Sequence, residues 1–140
     1  MKSIALALIA AGLLFAPVTP AGELPRYKLI LQVTEDSVDK LRLALKHAQH
    51  VQDTLGRDNV QVTLVAWGPG VNTLRYYTPL ADEIKVAHYR GVRLVVCEKS
   101  LRGAKLRTAD MIQTVNLSYV PSGLAEILVR QSEGWAYSAP

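Results

Sequence analysis

Val92-Arg-Leu-Val-Val-Cys-Glu-Lys-Ser-Leu-Arg102 decides the fold. Its first five residues are rich in β-formers and apolar on both parities, the mark of a strand buried on two faces. The strand carries Cys97 at its end, and Leu101 to Ile112 reads as the helix that follows, weakened at Gly103. Moving outward, the same unit recurs. Val60 to Trp67 (VQVTLVAW) is a strand that breaks at the turn Gly68-Pro69-Gly70, and Leu74 to Tyr89 is broadly helical with an interruption expected at Pro79. Tyr27 to Thr34 (YKLILQVT) is a strand. After it, Glu35-Asp36-Ser37 supplies capping chemistry for a helix whose face is Val38, Leu41, Leu45, Ala48, Val51 and Leu55, ended by Gly56. Towards the C-terminus, Val115 to Val120 is a short strand. Pro121 and Ser122 open a helix through Gln131 with Leu124, Ile127 and Leu128 as its expected core face, and Gly134 to Tyr137 is a final edge strand.

Strands that alternate with helices define an α/β fold, a flavodoxin-like or Rossmann-like, mostly parallel sheet with helices on both faces. The handedness of crossovers places the loops after the first three strands on one edge, where open α/β sheets bind ligands. Glu35, the Gly68 to Gly70 turn and Cys97 are therefore expected to gather there.

The N-terminus reads differently. Lys2 precedes an apolar run from Ile4 to Ala16, and Thr19-Pro20-Ala21 offers a cleavage point. This is the layout of a signal peptide, and the run is too short for a membrane span of roughly 20 apolar residues. The expectation is a signal peptide over 1–21, a single domain over 22–140, and a periplasmic or secreted protein with no stable membrane insertion after cleavage. The net charge of +4 on 140 residues is mildly basic and argues against a dedicated nucleic-acid binder.

One cysteine in an exported chain allows no intrachain disulfide. Such a residue is a buried small hydrophobe, an intermolecular link or a functional thiol. Its setting favours a thiolate, because a helix is expected soon after it and Arg90, Arg93, Lys99, Arg102, Lys105 and Arg107 are opposed by Glu98 alone. A dithiol oxidoreductase would need a second cysteine. A cysteine hydrolase would need a placed base, and His47, His50 and His88 have no spacing that ties them to Cys97. One thiol alone can accept and donate a sulfur atom as a persulfide.

Residues 92–102 resemble the signature of the DsrE/DsrF-like family: Gly-Val, apolar strand, Cys, polar, Ser-Leu/Met-Arg. Val62-Thr-Leu-Val-Ala-Trp-Gly-Pro-Gly-Val71, Val120-Pro-Ser-Gly-Leu124 and Gln131-Ser-Glu-Gly-Trp-Ala-Tyr137 extend the likeness in the family's order. The resemblance implies a flavodoxin-like fold, a homotrimer or homohexamer, and sulfur transfer through a persulfide at the position of Cys97. No cofactor and no metal are expected, since no cysteine or carboxylate set completes a site with His47 and His50. Activity is at most that of a sulfurtransferase-like carrier. The better-known relay members are cytoplasmic, so an exported relative is expected to use other sulfur donors and acceptors, whether proteins or small compounds.

On this reading Lys99, Ser100 and Arg102 stabilise the thiolate, while Gly68 and Gly70 shape the pocket. Two other readings remain at this point: a module that binds a small anion without covalent chemistry, and a structural homo-oligomer whose cysteine is incidental. His47 and His50 read as solvated residues, Ser37-Val-Asp-Lys40 as helix capping. Trp135 and Tyr137 either cross a subunit interface or close the core.

Overall fold

The computed structural model describes residue 22 and residues 24–140; the expected signal peptide lies outside the described residues. Five strands, β1 (Tyr27–Val33), β2 (Val60–Ala66), β3 (Arg93–Cys97), β4 (Leu117–Val120) and β5 (Ala136–Ser138), form one sheet. Its order is β4-β3-β2-β1-β5, and every neighbouring pair is parallel. Four helices connect them: α1 (Val38–Leu55), α2 (Ala81–Tyr89), α3 (Glu98–Gly103) and α4 (Gly123–Ser132).

The strand order fixes where the helices lie. Three connections step the same way across the sheet, and the fourth leaps back over it to place β5 beside β1. With right-handed crossovers, α1, α2 and α3 cover one face and α4 covers the other. The core divides accordingly. The larger cluster joins Leu31, Leu64, Leu94 and Val96 to Leu41, Leu45, Ile84 and Leu101. The smaller joins Ile30, Val65 and Val95 to Ile127 and Trp135. Trp135 thus closes the core, with the Arg130 guanidinium over its ring.

Three element boundaries differ from the sequence reading. The helix expected over 74–89 is a 3-10 segment over Gly68–Leu74, a loop, and then α2 from Ala81. Pro79 lacks the N–H a helix interior needs and restricts Thr78, so the helix starts beyond it. The helix expected over 101–112 is instead the six-residue α3, which begins at Glu98. Lys105 adopts φ 57°, a left-handed geometry that cannot continue a helix, and Met111 and Ile112 bury themselves in extended backbone against Leu74 and Arg75. On α1, Leu55 is exposed and Gln52 is buried in its place, because Gln52 exchanges hydrogen bonds with the carbonyl and guanidinium of Arg90.

The largest difference is on α4. Leu124 is 57% exposed and Leu128 68% exposed, while Ile127 is buried. The helix turns its Gly123–Ile127 line to the sheet because its first turn packs hard against Trp67 and Cys97. A Cβ on Gly123 would stand 2.7 Å from the Trp67 Cβ and 3.2 Å from the Cys97 Cβ. No leucine fits there. Glu126 locks the rotation by accepting hydrogen bonds from Arg93 of β3 (2.8 Å) and from Arg130 (3.0 Å). No helix among the described residues is long and apolar enough to cross a membrane.

Candidate functional site

The expected gathering of loops is present at the C-terminal ends of β1 to β4. The Trp67 and Gly70 amides donate to the Val33 and Thr34 carbonyls that end β1 (3.1 and 3.0 Å). The Gly68 amide donates to the Ser100 hydroxyl of α3 (2.7 Å). The Lys99 amide donates to the Pro121 carbonyl that precedes α4 (3.4 Å). Glu35 stands apart, exposed, with its carboxylate towards Lys40 (3.7 Å).

Cys97 lies at the centre of this junction. Side chains two apart on a strand share a face, so it points with Val95 to the side of the sheet that α4 covers. Trp67 lies on that face beside it, and its indole N–H is held by Gln32 (3.1 Å). The residue is 4% exposed. It is also the N-cap of α3.

Burial alone would push the Cys97 thiol up. The Ser100 hydroxyl, followed by the amides of Gly123, Ser100 and Lys99, outweighs it and holds the thiol below its ordinary value of 9.0. These donors come from the first turns of two helices, so the positive ends of two helix dipoles converge on one sulfur. Cys97 makes no tight cap bond to its own helix, and the donors therefore act as aimed dipoles. The Gly68 amide occupies a lone pair of the Ser100 oxygen, which leaves the hydroxyl's own proton to face the sulfur.

Of the site residues expected from sequence, Lys99, Ser100, Gly68 and Gly70 lie at the Cys97 junction. The Ser100 hydroxyl and the Lys99 amide face the thiol, so Lys99 meets it through its backbone rather than its ammonium. The Arg102 guanidinium is exposed and lies 4.0 Å from Glu98. The largest influences that lower the thiol's pKa are the Ser100 hydroxyl and the three backbone amides rather than these side-chain cations. Arg90 and Arg93, expected in the same basic surround, are bound to Asp53 and Glu126. Gly68 adopts φ 57° to aim its amide at Ser100. Gly70 has no room for a side chain, since a Cβ there would meet the Val33 carbonyl oxygen at 2.1 Å. Both glycine amides are taken by acceptors of the protein, so this turn is a clasp between strands rather than an anion cradle.

Gly123 was not expected. Its amide faces the sulfur and its missing side chain lets α4 close over Cys97. A glycine in the first turn of a helix disfavours that helix, which is the signal in the sequence that something approaches closely.

The sequence pattern of the DsrE/DsrF-like family matches residues 26–138, and the chain belongs to that family. Among solved structures, MTH1491 from Methanobacterium thermoautotrophicum, described as a protein of unknown function, is 29% identical with a TM-score of 0.74; the match covers 81% of this chain and 99% of that one. BT1422 from Bacteroides thetaiotaomicron, also described as of unknown function, is 15% identical with a TM-score of 0.65, over 81% of this chain and 94% of that one. The ychN protein from E. coli is 14% identical with a TM-score of 0.61, over 82% and 99%. The last two share the fold. No curated protein matches the chain significantly.

Proposed function

We propose that the protein is a sulfur carrier that accepts and donates sulfane sulfur as a persulfide on Cys97. The observation that carries this reading is the convergence of the Ser100 hydroxyl and three amides from two helices on a single thiol. A fold that needed only a small hydrophobe there would have no use for those donors. Membership of a family linked to sulfur relay supports it. The chemistry asks little of the protein beyond an ionised sulfur that can attack a sulfane sulfur and later be attacked in turn.

The test is intact-mass measurement after exposure to polysulfide. A gain of about 32 Da, one sulfur atom, on the wild type and none on Cys97→Ser is the expected result. No gain on the wild type overturns the carrier reading in favour of a binding or structural module.

The carrier is an exported homo-oligomer in this proposal. Export rests on the N-terminal sequence, and N-terminal sequencing of the mature protein is expected to begin near Gly22. Assembly is supported by Leu124 and Leu128, an apolar pair one turn apart on the outer face of α4. Light scattering is expected to give three or six chains, and Leu128→Glu to shift the mass downwards without loss of fold. A wild-type monomer at micromolar concentration overturns this part.

A further inference from the structure

A cavity opens between the start of α1 and the chain that leads into α2. Asp36 follows β1 and Val38 begins α1, while Asn72 to Pro79 runs from the end of the 3-10 segment towards α2. Residues of these two segments line a space of about 320 Å³, enough for a small ligand. It lies on the edge of the sheet where α/β folds bind ligands. Val38 packs against the larger core cluster, whereas Cys97 points to the α4 side. The two places therefore share an edge of the sheet but not a face.

Charge sets this cavity apart. Arg75 and Asp36 both line it, yet neither forms an ion pair with the other or with any other described residue. The carboxylates around them are taken. Glu35 lies towards Lys40, and Asp39 accepts from Arg42. Asp110, which feels the Arg75 charge, accepts the Arg107 amide (2.7 Å). The Arg75 guanidinium lies over the Tyr77 ring, 4.8 Å from its centre, and its Nε is buried without an acceptor. Stacking fixes the plane of the guanidinium, and an unpaired buried N–H is a group that a bound acceptor completes. The Thr78 hydroxyl accepts from the Leu80 amide (3.4 Å) and keeps its own proton to donate. A simple anion here would be repelled by Asp36, and a simple cation by Arg75.

We propose that this cavity binds a small zwitterion of the α-amino acid class, with its carboxylate on Arg75 and its ammonium on Asp36. A guanidinium fork matches a carboxylate, and one molecule that carries both charges meets an opposite charge at each end. The Tyr77 ring and Pro79 offer apolar surface to the side chain of such a ligand. The assignment goes beyond the carrier reading and stands apart from it, because binding here asks for no chemistry at Cys97.

The test is a titration of the nitrogen-labelled protein followed by NMR. The probes are glycine, L-alanine, L-glutamine and L-phenylalanine, with propionate, ethylamine and inorganic phosphate as controls that each carry one sign of charge. At least one amino acid is expected to shift the Arg75 Nε–H and the backbone amides of Thr73 and Thr78 saturably, and more tightly than any control. Arg75→Lys keeps the charge but loses the fork, and is expected to weaken binding about tenfold. Asp36→Asn, at an exposed position where the fold is not at stake, is expected to weaken it about twofold to fivefold. Cys97→Ser is expected to bind unchanged. Propionate or phosphate binding as tightly as the best amino acid overturns the zwitterion, as does full affinity in Asp36→Asn. No saturable shift with any of the four amino acids, or loss of binding in Cys97→Ser, overturns the site. Neither result bears on sulfur loading of Cys97, which the mass measurement decides separately.

Discussion

Replacing Ser100 by Ala tests the electrostatic account of Cys97 most directly. The change removes the strongest of the groups that lower the thiol's pKa and leaves the amides of Gly123, Ser100 and Lys99 in place. A hydrogen bond to a charged group at a shielded site contributes about 1.5 kcal/mol, close to a factor of ten in the ionisation equilibrium. At pH values below both midpoints the thiolate fraction is expected to fall by about that factor. The exchange rate falls less, because a more basic thiolate is the better nucleophile, with a Brønsted slope of about 0.4 to 0.5. Exchange with a neutral dipyridyl disulfide is therefore expected to slow about threefold below both midpoints and to quicken about threefold on the alkaline plateau. The two limbs of the pH–rate profile move in opposite directions, which damage to the fold would not produce. Lys99→Gln/Arg102→Gln keeps the Lys99 amide and is expected to move the profile much less. A midpoint unchanged in Ser100→Ala, or moved as far by the double charge removal, refutes the account.

Other changes are expected to act through the fold. Thr63 is fully buried with its hydroxyl unpartnered, so Thr63→Val is expected to raise stability by about 1 kcal/mol in denaturant titration. Gly123→Ala would force its Cβ against Trp67 and Cys97, and a loss of about 1 to 3 kcal/mol in the same assay is expected. Burial raises the Glu126 carboxyl, but hydrogen bonds from Arg130 and Arg93 hold it below its ordinary 4.5. Its contribution is complete above that value and lost as pH falls through the lower folded value, so Glu126→Gln is expected to flatten the acid limb of the stability curve. The Cys97 thiol is likewise lowered, from 9.0. The stability difference between wild type and Cys97→Ser is expected to grow in favour of the wild type as pH rises from the folded value towards 9.0, and to level off above it.

The alternation of strands and helices was legible because the strands buried on both faces are near-continuous apolar runs and the caps at Ser37, Gly56 and Ser122 are local chemistry. Helix extent was less legible where tertiary contacts decide it. Nothing local to Leu106, Met111 and Ile112 separates a helical turn from extended chain. They leave the helix because Met111 and Ile112 find backbone partners in Arg75 and Leu74. On α4 the spacing of Leu124, Ile127 and Leu128 fits a core face as well as any, and the tie is broken by Gly123, whose lack of a side chain matters only once Trp67 and Cys97 are known to lie beneath it.

The same reasoning explains why the place of Cys97 in the fold was legible and the source of the field around it was not. Position came from topology: parallel strands put Cys97, Gly68 and Ser122 at one edge whatever the details. Electrostatics came down to direction. Six nearby cations in the sequence suggested that charge ionises the thiol, yet side-chain charges on flexible stems go where partners or solvent take them, as Arg90, Arg93 and Arg102 do. Backbone amides cannot leave. Once Gly68 holds Ser100, and Gly123 lets α4 approach, the donors are fixed at the sulfur by the fold itself. A field built that way needs no reorganisation when the thiolate forms.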